Sequence, residues 1–435
     1  MYSAIAIVFV LGYLGIALEH KIRLDKAATA VLTAVLCWVI LMFGKETILG
    51  LTGELATKAV EGSLMHHLGE IAGILFFLLG AMTIVELVDS HSGFDLITSR
   101  IKTVKKSRLL WMITIIAFFM SAVLDNMTTA IVMAALIRKI ISEKKDLWIF
   151  GGMIILAANA GGAWSPIGDV TTIMLWIGGQ VTASKIVLSL FIPSVISILV
   201  PLLLITRKMK GDLASSTAED HRTAIPDREK KIVLYVGIAA LLFVPIFKSV
   251  THLPPFLGIL FGLAVLWMIT EYLHHSKSEE SKKALSIGGV LQRIDTPSIL
   301  FFLGILLAVG VLQTAGHLGA VAGFLDTNIG DIWIINTLIG FVSSVVDNVP
   351  LVAGAMGMYP LEMYPTDHTF WVLLAYCAGT GGSCLIIGSA AGVAIMGILK
   401  IDFIWYLKNI TLYAVIGYLA GVASFFGLSI LMGQV

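Results

Sequence analysis

Residues 121–130 read SAVLDNMTTA and residues 157–172 read AANAGGAWSPIGDVTT, two polar islands in otherwise apolar sequence. Asp125, Asn126, Asn159, Asp169 and a run of hydroxyls stand where lipid-facing sequence carries none. Ionisable groups at membrane depth are costly and mark a substrate or ion pathway. The pattern recurs: SSVVDNVPLV at 343–352 echoes the first island, and AGTGGSCLIIGSAAG at 378–392 echoes the second. Asp125 and Asp347 are 222 positions apart, and Gly161 and Gly381 are 220 apart, so the chain reads as one half written twice.

Composition supports a membrane setting. Of 435 residues, 58% are hydrophobic and only 13% charged, too few to cover a water-soluble domain of this size. A polytopic helical membrane protein follows. Cys37, Cys377 and Cys384 all lie in apolar segments and suggest neither a disulfide framework nor a metal site. The first apolar run, 3–18, has no basic residue before it, and Lys21, Arg23 and Lys26 follow it. An uncleaved spanning helix with an outside N-terminus is expected.

Apolar runs of roughly bilayer-crossing length occupy 3–18, 27–43, 71–88 and 186–205, while 49–69 mixes charges at helical spacing and is expected on the surface. Runs 109–123 and 127–141, parted by Leu-Asp-Asn, suit a re-entrant hairpin. Runs 147–159 and 170–177, divided by Gly161-Gly162, Pro166 and Gly168, suit one helix unwound at mid-depth. The second half repeats the order with spans at 232–247, 254–272 and 299–314, a hairpin at 332–360, a broken helix at 369–399 around Gly381-Gly382 and Gly388, and a last span within 406–431. Phe76-Phe77-Leu78 and Phe301-Phe302-Leu303 precede the two hairpins.

The expected fold is therefore an all-α polytopic membrane protein of two inverted-topology repeats. Each has five transmembrane segments, one broken mid-membrane, plus one re-entrant hairpin. The first repeat covers 1–205 (hairpin about 109–141, broken helix about 147–178), the cytoplasmic linker 206–231 and the second repeat 232–435. This topology gathers all but four of the 29 Lys and Arg (Lys45, Lys58, Lys185 and Lys248) on one side, which is thereby cytoplasmic. Both termini are then outside, in a bacterial-type cytoplasmic (inner) membrane.

Asp125-Asn126 and Asp347-Asn348 fall at the hairpin tips, where carboxylate, amide and released carbonyl oxygens can surround a hard cation. The plainer reading is a helix cap. Asp169, Thr171 and Thr172 can complete the site with Ser165 and Asn159. The second half departs here, with Ser389 at the Asp169 position, so the main cation site is expected on Asp125 and Asp169 with Asp347 contributing from the facing hairpin. Ser343, Ser344, Ser383 and Ser389 are hydroxyl ligands or caps. Glu86 and Asp89, with His91 after them, read as a proton path or interfacial charges, and Glu70 as a helix-start charge. His66, His67, His274 and His275 lie in polar stretches and are expected to be solvated rather than ligating. No nucleophile–base pair is evident, so no enzyme, no cofactor and no nucleic-acid partner are expected.

LDNMTTAIV, NAGGAWSPIGDVTT, VDNVPL and GTGGSCLIIGSAAGVA together resemble the NhaD-type sodium/proton antiporters, in the ion transporter superfamily that also holds dicarboxylate and arsenite carriers. The resemblance spans nearly the whole chain. It implies a scaffold domain, a transport domain of hairpins and broken helices moving like an elevator, and a homodimer formed through the scaffold. It implies export of Na⁺, and with it Li⁺, driven by inward protons. Residue by residue it picks out Asp125, Asn126, Asn159, Asp169, Thr171, Thr172, Ser343, Asp347, Asn348 and Ser383. A sodium-coupled carrier of a small anion, such as a dicarboxylate, is the alternative on the same scaffold.

Overall fold

Apolar runs punctuated by Asp, Ser and Thr become helices whose first amides are held by those side chains. The computed structural model describes residues 1–17, 24–98, 103, 105–209, 211–212, 225–274, 285–345 and 347–431. The helices of the first half are α1 (Tyr2–Ala17), α2 (Lys26–Leu49), α3 (Gly53–Ser90), α4 (Asp95–Thr98), α5 (Lys106–Leu124), α6 (Asn126–Ile140), α7 (Lys144–Ala163), α8 (Val170–Ile177) and α9 (Ala183–Thr206). Those of the second are α10 (Asp227–Thr251), α11 (Pro255–His274), α12 (Ile287–Leu291), α13 (Thr296–Thr314), α14 (His317–Asn328), α15 (Ile332–Ser343), α16 (Asn348–Met358), α17 (Thr369–Gly381), α18 (Ala390–Leu399), α19 (Phe403–Asn409) and α20 (Thr411–Leu431). Among the described residues there is no strand, only an isolated bridge between Lys105 and Asp212.

Nine helices among the described residues are long and apolar enough to cross a membrane, ten if α18 and α19, bent by 114°, count as one span. The chain is an integral membrane protein. Burial sorts the helices into inner and outer. The most apolar window of α7 is 89% buried, and α17 is buried at every residue from Phe370 to Gly381. The corresponding windows of α10, α11 and α20 are only 28–33% buried. Large apolar side chains on the outer helices, Leu188, Val250 and Leu431 among them, stay exposed, as they do when lipid covers them. The inner helices α7 and α17 pack on each other, with α5 and α6 against α7 and α15 against α17.

The two halves make matching contacts. The hydroxyl of Ser121 donates to Ala158 O (2.5 Å), and that of Ser343 to Ala378 O (2.9 Å). A Cβ at Gly161 would stand 2.2 Å from Phe118 O, and one at Gly381 would stand 2.2 Å from Gly340 O. Contacts also cross between the halves: α6 packs on α18, and α16 on α8.

Several boundaries differ from the sequence reading. Gly161 and Gly162 do not break their helix: α7 runs on to Ala163, and the interruption is 164–169. These glycines instead let backbone meet backbone, since a Cβ at Gly162 would lie 2.4 Å from Gly168 O. Gly381 likewise ends α17 rather than interrupting it earlier. At 20 residues α7 is long enough to cross alone, and α5, at 19, exceeds the length expected of a hairpin arm. The segment expected on the surface at 49–69 and the span after it form one 38-residue helix, α3, because no proline intervenes and Gly62 and Gly69 face open space. Helix α14 was not anticipated; its short apolar face, Leu318 and Ala322 one turn apart, is the part that packs. The expected linker lies partly outside the described residues, as does His275.

Gly161→Ala and Gly381→Ala should each lower the melting temperature of the detergent-purified protein, by at least the equivalent of the ~1–3 kcal/mol typical of overpacking. Gly397→Ala, whose Cβ meets nothing within 4 Å, should leave it unchanged. Equal melting of all three would remove the backbone contact as the reason for glycine.

Candidate cation site at the helix breaks

Each break begins a helix with an oxygen-bearing side chain. Asp125 alone joins α5 to α6, at φ 91° and ψ 161°. That region is nearly reserved for glycine and costs about 1–3 kcal/mol in other residues. Thr128 offsets the strain by donating its amide to Asp125 Oδ1 (2.8 Å) and its hydroxyl to Oδ2 (2.7 Å). Asp169 opens α8, its Oδ1 accepting from Thr171 N (3.0 Å) and Thr171 Oγ1 (2.9 Å). Asp347 opens α16 by accepting from Val349 N (3.1 Å), and Ser389 opens α18 by accepting from Gly392 N (3.1 Å). The capping reading is therefore true of all four. It does not compete with a functional reading, because in Asp169 only one carboxylate oxygen is used by the cap.

The other Asp169 oxygen enters a network centred on Asn159, which is wholly buried in α7. Asn126 Nδ2 donates to Asp169 Oδ2 (3.1 Å) and to Asn159 Oδ1 (3.1 Å). Asn159 Nδ2 then donates across to the second half, to Ser383 Oγ (2.9 Å) and Ser389 Oγ (2.8 Å). With both donors of Asn126 committed, the atom it can offer a guest is its carbonyl oxygen.

Asp125, Asn126, Asp169, Asp347 and Asn348 all line one cavity of about 300 Å³. The wall continues to Asp25 and Lys26 at the start of α2 and to Asp295 at the start of α13, so the cavity reaches from the breaks to two helix ends.

The remaining candidates are dispersed. Thr171 is bonded to Asp169 of the cavity wall, and Ser383 and Ser389 are bonded to Asn159 behind it. Ser343 donates to Ala378 O, Ser165 to Ala122 O and Ser344 to Phe341 O, pins between or within helices rather than cavity wall. Thr172 is buried, and its hydroxyl has no hydrogen-bond partner among the described residues. Glu86 is elsewhere, accepting from Arg293 Nε at 2.7 Å. Asp89 and Glu70 are exposed on the same helix, and Glu70 faces His66 and His67. Thr128, Asp25 and Asp295 were missed. Thr128 had a readable signal, a hydroxyl three positions after a capping Asp.

A family profile described as citrate transporter matches residues 7–374. The chain is 46% identical to sodium/proton antiporter 1 of Arabidopsis thaliana, over 97% of this chain and 72% of that protein. It is 44% identical to sodium/proton antiporter 2 of the same plant, over 97% and 98%. With the Na(+)/H(+) antiporter NhaD of Vibrio cholerae it shares 33% identity over 94% of this chain and 87% of the other. The chain belongs to the NhaD-type family of the ion transporter superfamily. Relatives of this NhaD-type chain are named as transporters, not enzymes.

The Asn159 network generates a graded prediction. Asn159→Leu leaves Asn126, Ser383 and Ser389 each short of a buried partner, at about 1–3 kcal/mol apiece, and should cut transport in everted vesicles more than tenfold. Ser389→Ala removes one of two bonds from Asn159 Nδ2 and should have the smaller effect. A Ser389→Ala loss exceeding that of Asn159→Leu would place the centre of the network elsewhere.

Proposed function

We propose that this protein exchanges Na⁺, and with it Li⁺, for H⁺, the two competing for the carboxylates of Asp125 and Asp169 with Asp347 beside them. The observation that carries this reading is the convergence of three aspartates, each from a different helix break, on one cavity. A hard cation is held by oxygen, and the site offers carboxylate oxygens together with the amide oxygen of Asn126. The relatives' names point the same way.

Coupling follows from electrostatics. A carboxylate removed from water holds a proton more firmly, because desolvation disfavours its charged form. It can be neutralised by a proton or by Na⁺, and an ionised pair left without either is costly to carry through an apolar interior. The loaded forms cross and the empty form does not, which is the condition for exchange.

The matching contacts of the two halves support an inverted repeat in which α5–α6 and α15–α16 are re-entrant hairpins entering from opposite faces. The distribution of Lys and Arg supports a cytoplasmic side for the end of the cavity lined by Asp25, Lys26 and Asp295. In this reading the hairpins with α7, α8, α17 and α18 shift against the outer helices, which form a dimer. The family profile's description names an anion. The wall instead carries five carboxylates, from Asp25, Asp125, Asp169, Asp295 and Asp347, against the single ammonium of Lys26, which favours a cation.

Proteoliposomes loaded with a pH dye provide the test. Na⁺ added alone should move protons, without citrate. The apparent KM for Na⁺ should rise as pH falls, by up to roughly tenfold per pH unit where the proton dominates a one-for-one competition, with the maximal rate little changed. Asp125→Asn should abolish exchange while preserving a monodisperse protein. A KM independent of pH, or Na⁺ movement that requires citrate, would overturn the proposal.

A further inference from the structure

Away from the carboxylate cavity, three helix ends meet at a different kind of donor set. His91 follows the last turn of α3 as its C-cap, His274 is the last residue of α11, and Glu229 lies in the first turn of α10. The expectation that His274 is solvated fails: it is 4% exposed, beside His91 at 0% and Glu229 at 7%. The polar sequence after it conceals that the α11 end turns inward.

The protonation pattern is partly fixed by chemistry. His91 Nδ1 lies 2.6 Å from Leu87 O, and a carbonyl only accepts, so Nδ1 carries the proton and Nε2 presents a lone pair. That nitrogen is 2.8 Å from His274 Nε2, and Glu229 Oε1 is 3.9 Å from each of the two nitrogens. In a triangle with sides 2.8, 3.9 and 3.9 Å, the point equidistant from the corners is about 2.1 Å from each, the length of a zinc–nitrogen or zinc–carboxylate bond. A metal-binding imidazole whose other nitrogen donates to a backbone carbonyl is the usual supporting arrangement.

We propose that His91, Glu229 and His274 form a binding site for a divalent transition-metal ion of the zinc class, separate from the cavity of the transported cation. Two imidazoles and one carboxylate suit zinc, whereas Na⁺ and Mg²⁺ prefer oxygen alone. Metal entry replaces the bond between the two imidazoles. His274 then carries its proton on Nδ1, and both rings turn so that their Nε2 lone pairs meet at the common point. The neighbouring Lys230 ammonium lies 4.0 Å from the Asp227 carboxylate, and the nearby Arg293 is bonded to Glu86. The bound ion ties the ends of α3, α10 and α11 together.

The test uses the full chain, purified without a histidine tag, stripped with chelator and then equilibrated with Zn²⁺. Elemental analysis should find one zinc per chain. His91→Gln and His274→Gln should each reduce retained zinc at least tenfold, while His66→Gln, on the exposed face of α3, should not. Co²⁺ in the unmutated protein should give the intense visible bands of low coordination and lose them on addition of Zn²⁺. This second readout decides the matter if the variants do not fold. No zinc retained above buffer, retention indifferent to His91 and His274, or a weak octahedral cobalt spectrum would overturn the site and leave a proton-sharing histidine pair. None of these readouts depends on exchange activity.

Discussion

Placing a carboxylate in an apolar interior costs several kcal/mol unless its oxygens are met by donors or cations. This chain places three around one cavity and starts a helix at each. The free amides of a helix start supply donors and a partial positive charge, which answers part of the cost. They cannot answer all of it, because the amides satisfy chosen oxygens and leave the net negative charge in place. The interrupted helices thus make the site tolerable when filled and unfavourable when empty. Under the proposed function, stability and transport chemistry draw on the same groups.

The two halves contribute unequally, and the inequality is spatial. The position matching Asn159 in the second half is Gly379, where a Cβ would stand 3.4 Å from Asp169 Oδ2. The position matching Asp169 is Ser389, whose hydroxyl accepts from Asn159. The first half therefore provides the amide and the carboxylate, and the second provides room for the carboxylate and a partner for the amide. A repeat with Asn and Asp in both halves would put an amide against a carboxylate where Gly379 now leaves space. One site built from two halves is the packing solution, and it accounts for the divergence between otherwise similar motifs.

Much of this was legible in sequence because breaking a helix at membrane depth requires a small vocabulary. Asp-Asn, Gly-Gly and Ser-Pro stand out against apolar runs, and the second occurrence gave the register between halves. The finer boundaries were not legible, since glycine serves both to end a helix and to let two backbones touch, and Gly161 does the second. The roles of Ser165, Ser343 and Ser344 were hidden for a related reason: a hydroxyl among apolar residues pins a carbonyl as readily as it binds an ion. Asp25 and Asp295 stand just before the apolar runs 27–43 and 299–314, and only tertiary packing brings them to the cavity. His274 was misread because its polar neighbours conceal its burial.

Asp125 shows how strain and function meet. Its backbone conformation would suit glycine better, yet glycine there would remove the carboxylate from the cavity. A single-residue connection between α5 and α6 keeps that carboxylate close to the amides that begin α6, where a longer loop would let it swing toward water. Thr128, one turn on, holds both its oxygens. In the proposed exchange a cation reaching Asp125 would meet a carboxylate whose position is already set, so little ordering remains to be done on binding. Under the proposed function, that preorganisation is what would let a weakly held, strongly hydrated ion compete with a proton, which needs only one oxygen.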